Sequence, residues 1–252
     1  YLHLYPLIQL TSPGWVWVML IVTSGIIIVA PWAPRQQPES PALVALDFCN
    51  GCQRCVDDCP FGAVEMVPRT DGTNYSHQAA VVPDLCVSCG ICVGACPTAT
   101  PFRSRGELIP GIDLPDSTAA NMRNAIVAAG KECAVPRILA IGCSDDDGLL
   151  KLQAAGIHTV SVKCMGQLQP SFIDFALSRN HADGVLLLGC QDGSCSYRFG
   201  LDWTTQRLNR TRDPMIRKRV DLSRVALAWQ APWNDCGNAV ETYRAFEREL
   251  SK

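Results

Sequence analysis

The sequence predicts an α/β protein in three parts, and three features of the chain carry that prediction. Residues 136–250 alternate short apolar strands with helices, which is the pattern of a parallel sheet covered by helices on both faces. Two copies of the string C-x-x-C-x-x-C-x-x-x-C-P stand upstream, at residues 49–60 and 86–97. Residues 1–34 contain no Asp, Glu, Lys or Arg. We therefore expect an N-terminal transmembrane helix, a small α+β cysteine-rich domain and a C-terminal parallel-sheet domain.

Composition narrows the class of protein. The chain of 252 residues has 22 basic and 24 acidic residues, so its net charge does not indicate binding to a nucleic acid. Hydrophobic residues make up 48% and charged residues 18%, a balance that favours a membrane-linked protein. The chain has 14 cysteines, and their grouping into repeated strings indicates thiolates in a reducing compartment, the cytoplasm, rather than a disulfide framework.

The apolar run at residues 15–32 predicts the transmembrane helix. Its 18 residues span about 27 Å as a helix, close to the thickness of a hydrocarbon core. Trp15, Trp17 and Trp32 flank the run, as interfacial aromatic residues do, and Arg35 places its C-terminal side in the cytoplasm. A cleaved signal peptide is disfavoured because no basic segment precedes the run. A buried helix of a soluble core is disfavoured because the run has no polar face.

A proline-rich linker at residues 34–41 leads into the cysteine-rich domain, which is predicted within residues 35–105. Its cysteine spacing resembles that of bacterial-type ferredoxins, in which two 4Fe–4S clusters are held and the fourth cysteine of each string binds the other cluster. The resemblance implies a first cluster on Cys49, Cys52, Cys55 and Cys96. It implies a second cluster on Cys86, Cys89, Cys92 and Cys59.

The rest of the chain is predicted to be a connector, residues 106–130, and a flavodoxin- or Rossmann-like domain, residues 131–252. The connector contains one helix, which begins at the capping residues 116–118 and ends at Gly130. Strands are predicted at residues 136–143, 158–164, 184–190 and 224–231. Helices are predicted at residues 149–155, 170–180, 197–212 and 239–250.

Three of these strands end in a cysteine, at Cys143, Cys164 and Cys190, and Cys195 follows on the next loop. Because ligands bind at the carboxyl ends of parallel strands, we expect the four thiols to meet at one edge of the sheet. Four thiolates are what a 2Fe–2S cluster requires. A structural zinc ion is the alternative, since it also takes four cysteines, and unconnected buried thiols are a third interpretation.

Other features give weaker signals. Cys133 and Cys236 fit none of these spacings and are interpreted as structural thiols, with a spare ligand as the alternative. The basic run within residues 207–224 is interpreted as a solvated face, with docking of an acidic partner as the alternative. Neither G-x-G-x-x-G nor G-x-x-x-x-G-K-[ST] occurs, so a bound nucleotide or flavin has no motif support.

Residues 136–252 resemble the hydrogenase iron–sulfur (delta) subunit family. The resemblance rests on ILAIGC, KCMGQLQP and ADGVLLLGCQDGSCSYRFG. The family pattern GC-x-x-G-x-C-x-Y is matched by Cys190, Gly193, Cys195 and Tyr197. The resemblance implies one 2Fe–2S cluster that exchanges electrons with a heterodisulfide-reductase-like flavoprotein. Members commonly carry a further cysteine where this chain has Asp146, so the four candidate ligands have no spare.

Residues 1–34 resemble the C-terminal membrane region of cytochrome b, through the aromatic-rich residues 1–10, Pro13 and the apolar run. This resemblance implies a cytochrome b-like or quinone-reactive membrane subunit as a partner. The sequence thus predicts an electron-transfer subunit anchored in the inner (cytoplasmic) membrane, with its iron–sulfur domains facing the cytoplasm. It would relay electrons between that subunit and a cytoplasmic oxidoreductase of heterodisulfide-reductase or hydrogenase type. A sulfur-substrate reductase and a zinc-bearing docking or redox-sensing module are the alternatives.

Overall fold

The structure is a computed structural model, and it describes residues 13–32, 39–103, 106–132, 135–144, 146–190, 195–230 and 239–251. The chain divides into two compact units, Tyr1–Pro38 and Glu39–Lys252. The described helices are α1 Pro13–Val29, α2 Arg54–Asp57, α3 Ile91–Ala95, α4 Ala119–Glu132, α5 Asp147–Ala154, α6 Pro170–Ser178, α7 Gly200–Leu208 and α8 Ala239–Leu250. The described strands are β1 Leu43–Val44, β2 Val64–Pro68, β3 His77–Val81, β4 Ile112–Asp113, β5 Ile138–Cys143, β6 Thr159–Val162, β7 Gly184–Cys190 and β8 Val225–Gln230.

The predicted transmembrane helix is wrong. Helix α1 has 17 residues, which span about 26 Å, whereas a bilayer core is about 30 Å thick. The predicted run included the segment Ala30–Trp32, which is a 3-10 turn, and Pro31 lacks the N–H that an α-helix would need there. Within the described ranges, no helix is both long enough and apolar enough to cross a membrane. The placement at the inner membrane depended on this helix and is wrong with it.

The predicted parallel sheet is confirmed. Its strands lie in the order β6–β5–β7–β8, and each neighbouring pair is parallel. The chain forms β6 on one side of β5 and then β7 on the other side. The winding direction therefore changes between β5 and β7, and the carboxyl ends of these two strands flank the usual ligand position of such a sheet.

Two apolar cores cover the two faces of this sheet. Ile138 and Ala140 of β5 pack on one face with residues of α5 and α8. Leu139 and Ile141 pack on the other face with residues of α4 and α6. This alternation along a wholly buried strand is what a sheet covered on both sides requires.

The segment before the sheet is built from two small antiparallel pairs, β2 with β3 and β1 with β4. Strand β4 belongs to the stretch predicted as a connector, yet it pairs with the strand that precedes the first cysteine string. Val93 of α3 lies in the same core as Leu168 and Phe172 of the sheet domain. Residues from the cysteine strings and from the sheet domain thus share one core.

Helix α4 begins as predicted but ends differently. It starts at Ala119, directly after the predicted capping residues, and Thr118 Oγ1 accepts a hydrogen bond from the N–H of Asn121 at 3.0 Å. The carboxylate of Asp113 accepts from the N–H of Ala119, at 3.1 and 3.2 Å from its two oxygens. The helix continues past Gly130, which was predicted to end it, to Glu132. A Cβ on Gly130 would lie 2.5 Å from the carbonyl oxygen of His181. The glycine is therefore needed for close packing and does not terminate the helix.

Candidate metal centres

Four cysteines from the two strings line one cavity, called here the first cavity, whose space of about 310 Å³ includes its open mouth. They are Cys49, Cys52, Cys55 and Cys96. Burial raises the pKa of Cys55 to about 12, and the charges of the other three add to the increase. These are the four residues that the ferredoxin resemblance assigned to the first cluster.

The loop around the first cavity is held by Arg69. Its Nη1 donates a hydrogen bond to the carbonyl oxygen of Cys49 at 2.6 Å, and its Nη2 donates to that of Leu46 at 2.7 Å. Nε of the same side chain donates to the Asp71 carboxylate at 2.7 Å. One guanidinium thus fixes the turn that presents Cys49.

The other four cysteines of the strings line a second cavity of about 330 Å³. They are Cys59, Cys86, Cys89 and Cys92. Burial raises the pKa of Cys89 to about 11, and it raises that of Cys92 well above the usual thiol value. The charge of Cys55 contributes to the rise at Cys92, so the two cavities are close neighbours.

The chemistry of the cysteines in both cavities suits a bound cationic group, although their side chains are not arranged as a finished metal site. Thiols such as Cys55, Cys89 and Cys92, whose pKa is raised by burial and by mutual repulsion, keep their protons at neutral pH. Only a neighbouring cation makes it favourable for several of them to ionise together, and bound metal deprotonates its thiol ligands outright. Four cysteines around one cavity, two of them buried in each case, are therefore suited to a bound metal.

The structure also brings together the four cysteines predicted at the edge of the sheet. Cys143 and Cys190 are the last residues of β5 and β7, Cys164 lies two residues past β6, and Cys195 precedes α7. Cys143 and Cys195 each interact with both Cys164 and Cys190 through their sulfur atoms. The four sulfurs therefore form a closed set, called here the thiol ring.

The four thiols shift one another's pKa values in opposite directions. Interaction with Cys164 and Cys190 lowers the pKa of Cys143 and that of Cys195. The same interactions raise the pKa values of Cys164 and Cys190 well above the usual value. The four sulfurs therefore form one coupled set, in which the ionisation of each thiol depends on the others.

Backbone N–H groups point at the sulfurs of Cys143 and Cys195. The N–H of Met165 donates to Cys143 Sγ at 3.3 Å. The backbone N–H groups of Tyr197 and Leu201 donate to Cys195 and lower its pKa further. Leu201 lies in the first turn of α7, so the free N–H groups of that helix end contribute to the site.

Gly200 leaves space for two sulfurs of the thiol ring. A Cβ on this residue would overlap Cys164 Sγ and would lie 3.5 Å from Cys195 Sγ. No side chain other than that of glycine fits here while both sulfurs keep their positions. Gly200 was not singled out in the sequence, although it ends the family-like string SYRFG and could have been suspected on that ground.

The second cavity and the thiol ring meet across a short apolar contact. Cys89, Ile91 and Cys164 form one buried cluster, and Phe61 and Trp203 pack against it. Nearby, the backbones of α3 and of the Met165–Gln167 turn approach so closely that a Cβ on Gly94 would overlap the carbonyl oxygen of Gly166. Ile91 thus packs with a cysteine of each site.

Some expectations concern residues that lie outside the described ones: Cys133, Cys236 and the loop at 191–194. Asp146, which stands where members of the resembling family carry a cysteine, caps α5 by accepting a hydrogen bond from the N–H of Gly148 at 2.6 Å. Across the described residues, no group of three or more His, Cys, Asp or Glu side chains is arranged to hold a metal ion.

Sequence reasoning missed a buried ion pair between the two regions. Arg207 was assigned to a solvated basic face, but it is 0% exposed and its Nη2 lies 2.6 Å from the carboxylate of Asp58. Arg212 contacts the same carboxylate at 2.5 Å. The partners Asp58 and Arg207 are 149 residues apart in the sequence, and no local pattern joins them.

Comparisons with known proteins give two family models and curated relatives. The model described as methyl-viologen-reducing hydrogenase, delta subunit, matches residues 136–252, and the 4Fe-4S dicluster domain matches residues 48–100. An F420-non-reducing hydrogenase iron-sulfur subunit from Archaeoglobus profundus is 31% identical over 102 residues, which are 37% of this chain and 74% of that relative. An F420-non-reducing hydrogenase vhc iron-sulfur subunit from Methanococcus voltae is 32% identical over 89 residues, which are 35% of this chain and 61% of that relative.

Proposed function

Since the chain belongs to the family of the methyl-viologen-reducing hydrogenase delta subunit, we propose that it conducts electrons through three iron–sulfur clusters held in a row. It is a hydrogenase-type iron–sulfur subunit, and its dicluster domain carries 4Fe–4S clusters. Such clusters accept and release single electrons, and the protein positions them and tunes their potentials.

The eight cysteines of the strings are proposed to hold two 4Fe–4S clusters. The first cluster takes the cysteines of the first cavity, Cys49, Cys52, Cys55 and Cys96. The second takes those of the second cavity, Cys59, Cys86, Cys89 and Cys92. Support comes from the two separate cavities of similar size, each lined by one such set of four.

The thiol ring is proposed to hold a 2Fe–2S cluster on Cys143, Cys164, Cys190 and Cys195. The single observation that carries this assignment is the closed set of four sulfurs at the carboxyl ends of β5, β6 and β7. The space left by Gly200 and the backbone donors to Cys143 and Cys195 support it further. Hydrogen bonds to ligand sulfurs are a recognised means of setting a cluster potential.

The clusters are proposed to act in the order first cavity, second cavity, thiol ring. The interaction between Cys55 and Cys92 supports the first step, and the buried contact of Cys89, Ile91 and Cys164 supports the second. Cys52 is exposed at one end of this row and Cys190 is half-buried at the other. The row is thus open to partner proteins at both ends.

The partner at the thiol ring is proposed to be a flavoprotein of heterodisulfide-reductase or hydrogenase type. The curated relatives support this, since they are iron-sulfur subunits of F420-non-reducing hydrogenases. A flavin changes between one- and two-electron chemistry, so it needs a one-electron conductor beside it. The cytochrome b-like or quinone-reactive subunit expected from residues 1–34 stays a prediction.

The test is an anaerobic EPR redox titration with iron, sulfide and zinc quantified on the same sample. We expect about ten irons per chain, no zinc and a 2Fe–2S signal that titrates apart from the 4Fe–4S signals. About eight irons with one zinc would limit the conductor to the dicluster domain and would contradict the assignment at the thiol ring.

A further inference from the structure

A completely buried positive charge lies between the second cavity and the thiol ring. Arg207 of α7 is 0% exposed, and its main counter-ion, Asp58, is 4% exposed. Asp58 directly precedes Cys59 of the second cavity. Arg207 also has an electrostatic interaction with Cys164 of the thiol ring. The guanidinium is therefore close to ligand candidates of two different sites.

The same side chain ties together the two loops that carry those cysteines. Its Nη1 donates to the carbonyl oxygen of Gly166 at 2.8 Å, in the turn that begins directly after Cys164. Its Nη2 donates to Asp58 at 2.6 Å. The planar fork of an arginine can hold two acceptors in fixed directions, which a lysine cannot do.

The third nitrogen of the Arg207 guanidinium, Nε, is buried and has no acceptor among the described residues. A buried N–H without a partner is costly, and native structures usually provide one. This N–H is therefore left for an acceptor that the described residues do not supply.

The position of the charge has a direct redox consequence. Adding an electron to a cluster makes it more negative, and a buried cation stabilises the added charge far more than a solvated one would. Asp58 acts in the opposite sense, so the two members of the pair push the potential in opposite directions. One electron passes between the groups on either side, one being oxidised as the other is reduced, and no bond forms or breaks.

We propose that Arg207 is a positioning residue that holds the Cys164 turn against the Cys59 loop and, with Asp58, sets the potentials of the two flanking clusters. This inference rests on the proposed function, because it requires clusters at both sites. It gives a role to an ion pair whose two members are not themselves predicted cluster ligands.

The test compares Arg207→Met, Asp58→Asn and the double variant with the unmodified chain, using the midpoint potentials from the EPR titration. Arg207→Met should lower the potentials of the second-cavity and thiol-ring clusters, and Asp58→Asn should raise them. We expect each shift to approach tenfold in the reduction equilibrium, about 59 mV for one electron. The double variant should lie between the two single variants.

The opposite signs separate a charge effect from simple damage. Both single variants break the same ion pair, so a purely structural role predicts similar changes in both, such as lower unfolding temperatures. Shifts in the same direction, or unchanged potentials with all clusters present, would overturn the inference. Absence of a 2Fe–2S signal from the unmodified chain would instead contradict the proposed function.

Two further variants keep the test decisive. If the single variants do not assemble, the variant Arg212→Gln is used. Arg212 is the outer partner of Asp58, and the Arg212 side chain is 27% exposed. This variant should lower the same potentials by a smaller amount. Unchanged potentials in that variant would then count against the proposal. The matched control is Arg137→Met, which breaks an Arg–Asp pair with Asp183 at the opposite edge of the sheet and should leave both potentials unchanged.

Discussion

Gly200 lies directly against Cys164, so closely that a Cβ on the glycine would overlap the sulfur. The contact joins the first residue of α7 to the cysteine that follows β6. It means that the thiol ring depends on a residue without any ligating atom. The glycine is required by the close approach of a sulfur and not by an unusual backbone angle.

Replacing this glycine should remove one site selectively. Gly200→Ala is expected to displace Cys164 and to abolish the 2Fe–2S signal while both 4Fe–4S signals remain, as measured by EPR and iron content. Gly25→Ala is the matched control, because nothing lies within 4 Å of the added atom in α1. An alanine variant with a full 2Fe–2S signal would show that the ring tolerates the extra atom.

Removing one member of the thiol ring should have a similarly local effect. Cys190→Ser takes away a ligand candidate that lies at the end of β7 and contacts Cys143 and Cys195. We expect loss of the 2Fe–2S signal with both 4Fe–4S clusters retained. Simultaneous loss of all three signals in this variant would contradict the separation of the sites.

Arg69 is expected to protect the cluster of the first cavity. Arg69→Met removes the hydrogen bonds to the carbonyl oxygens of Leu46 and Cys49 and frees the loop. Release of iron from that cluster under a chelator should become several times faster, whereas the second cluster keeps its rate. The release is measured by the loss of visible absorbance. Equal rates of iron release from the variant and the unmodified chain would argue against this role.

Asp113 should make stability depend on pH. Burial raises its pKa to about 6 in the folded chain, from an ordinary value of 3.8, although it accepts backbone hydrogen bonds from Leu114 and Ala119. The folded state thus binds this proton more tightly than the unfolded state does. The stabilisation is full below about pH 4 and is lost as the pH rises through about 6.

Asp113→Asn should remove that pH dependence and keep an acceptor oxygen for the two N–H groups. Urea midpoints of the variant and the unmodified chain should diverge between about pH 4 and 6, in favour of the variant, and then stay apart by a constant amount. Asp116→Asn, an exposed carboxylate in the same segment, is the control. A difference that stays constant over the whole range would refute the assignment to Asp113.

The sequence predicted the parallel sheet because its strands depend on local patterns. The strands ending at Cys143 and Cys190 are short apolar runs, and the rule that parallel strands share a carboxyl edge brought their thiols together. Helix boundaries were less accurate, because tertiary contacts set them. Helix α7 was expected over residues 197–212 but spans Gly200–Leu208. Before the helix, the backbone N–H of Tyr197 donates to Cys195.

Features that depend on distant residues could not be found in the same way. A buried arginine looks like an exposed one in the sequence, and the partner that neutralises Arg207 lies in another region of the chain. The N-terminal helix shows the opposite error: its apolar composition was counted without the turn at Ala30–Trp32, which shortens it. Composition indicates that a segment favours an apolar environment, but the length of the helix that it forms depends on backbone geometry.

The contact between Gly94 and the carbonyl oxygen of Gly166 has a consequence for speed. Two backbones that touch leave no gap for solvent between the dicluster domain and the sheet domain at this point. Where water is excluded, few dipoles have to reorient when charge arrives on either side. With the proposed clusters on either side, the passage of an electron between them would need little rearrangement of its surroundings.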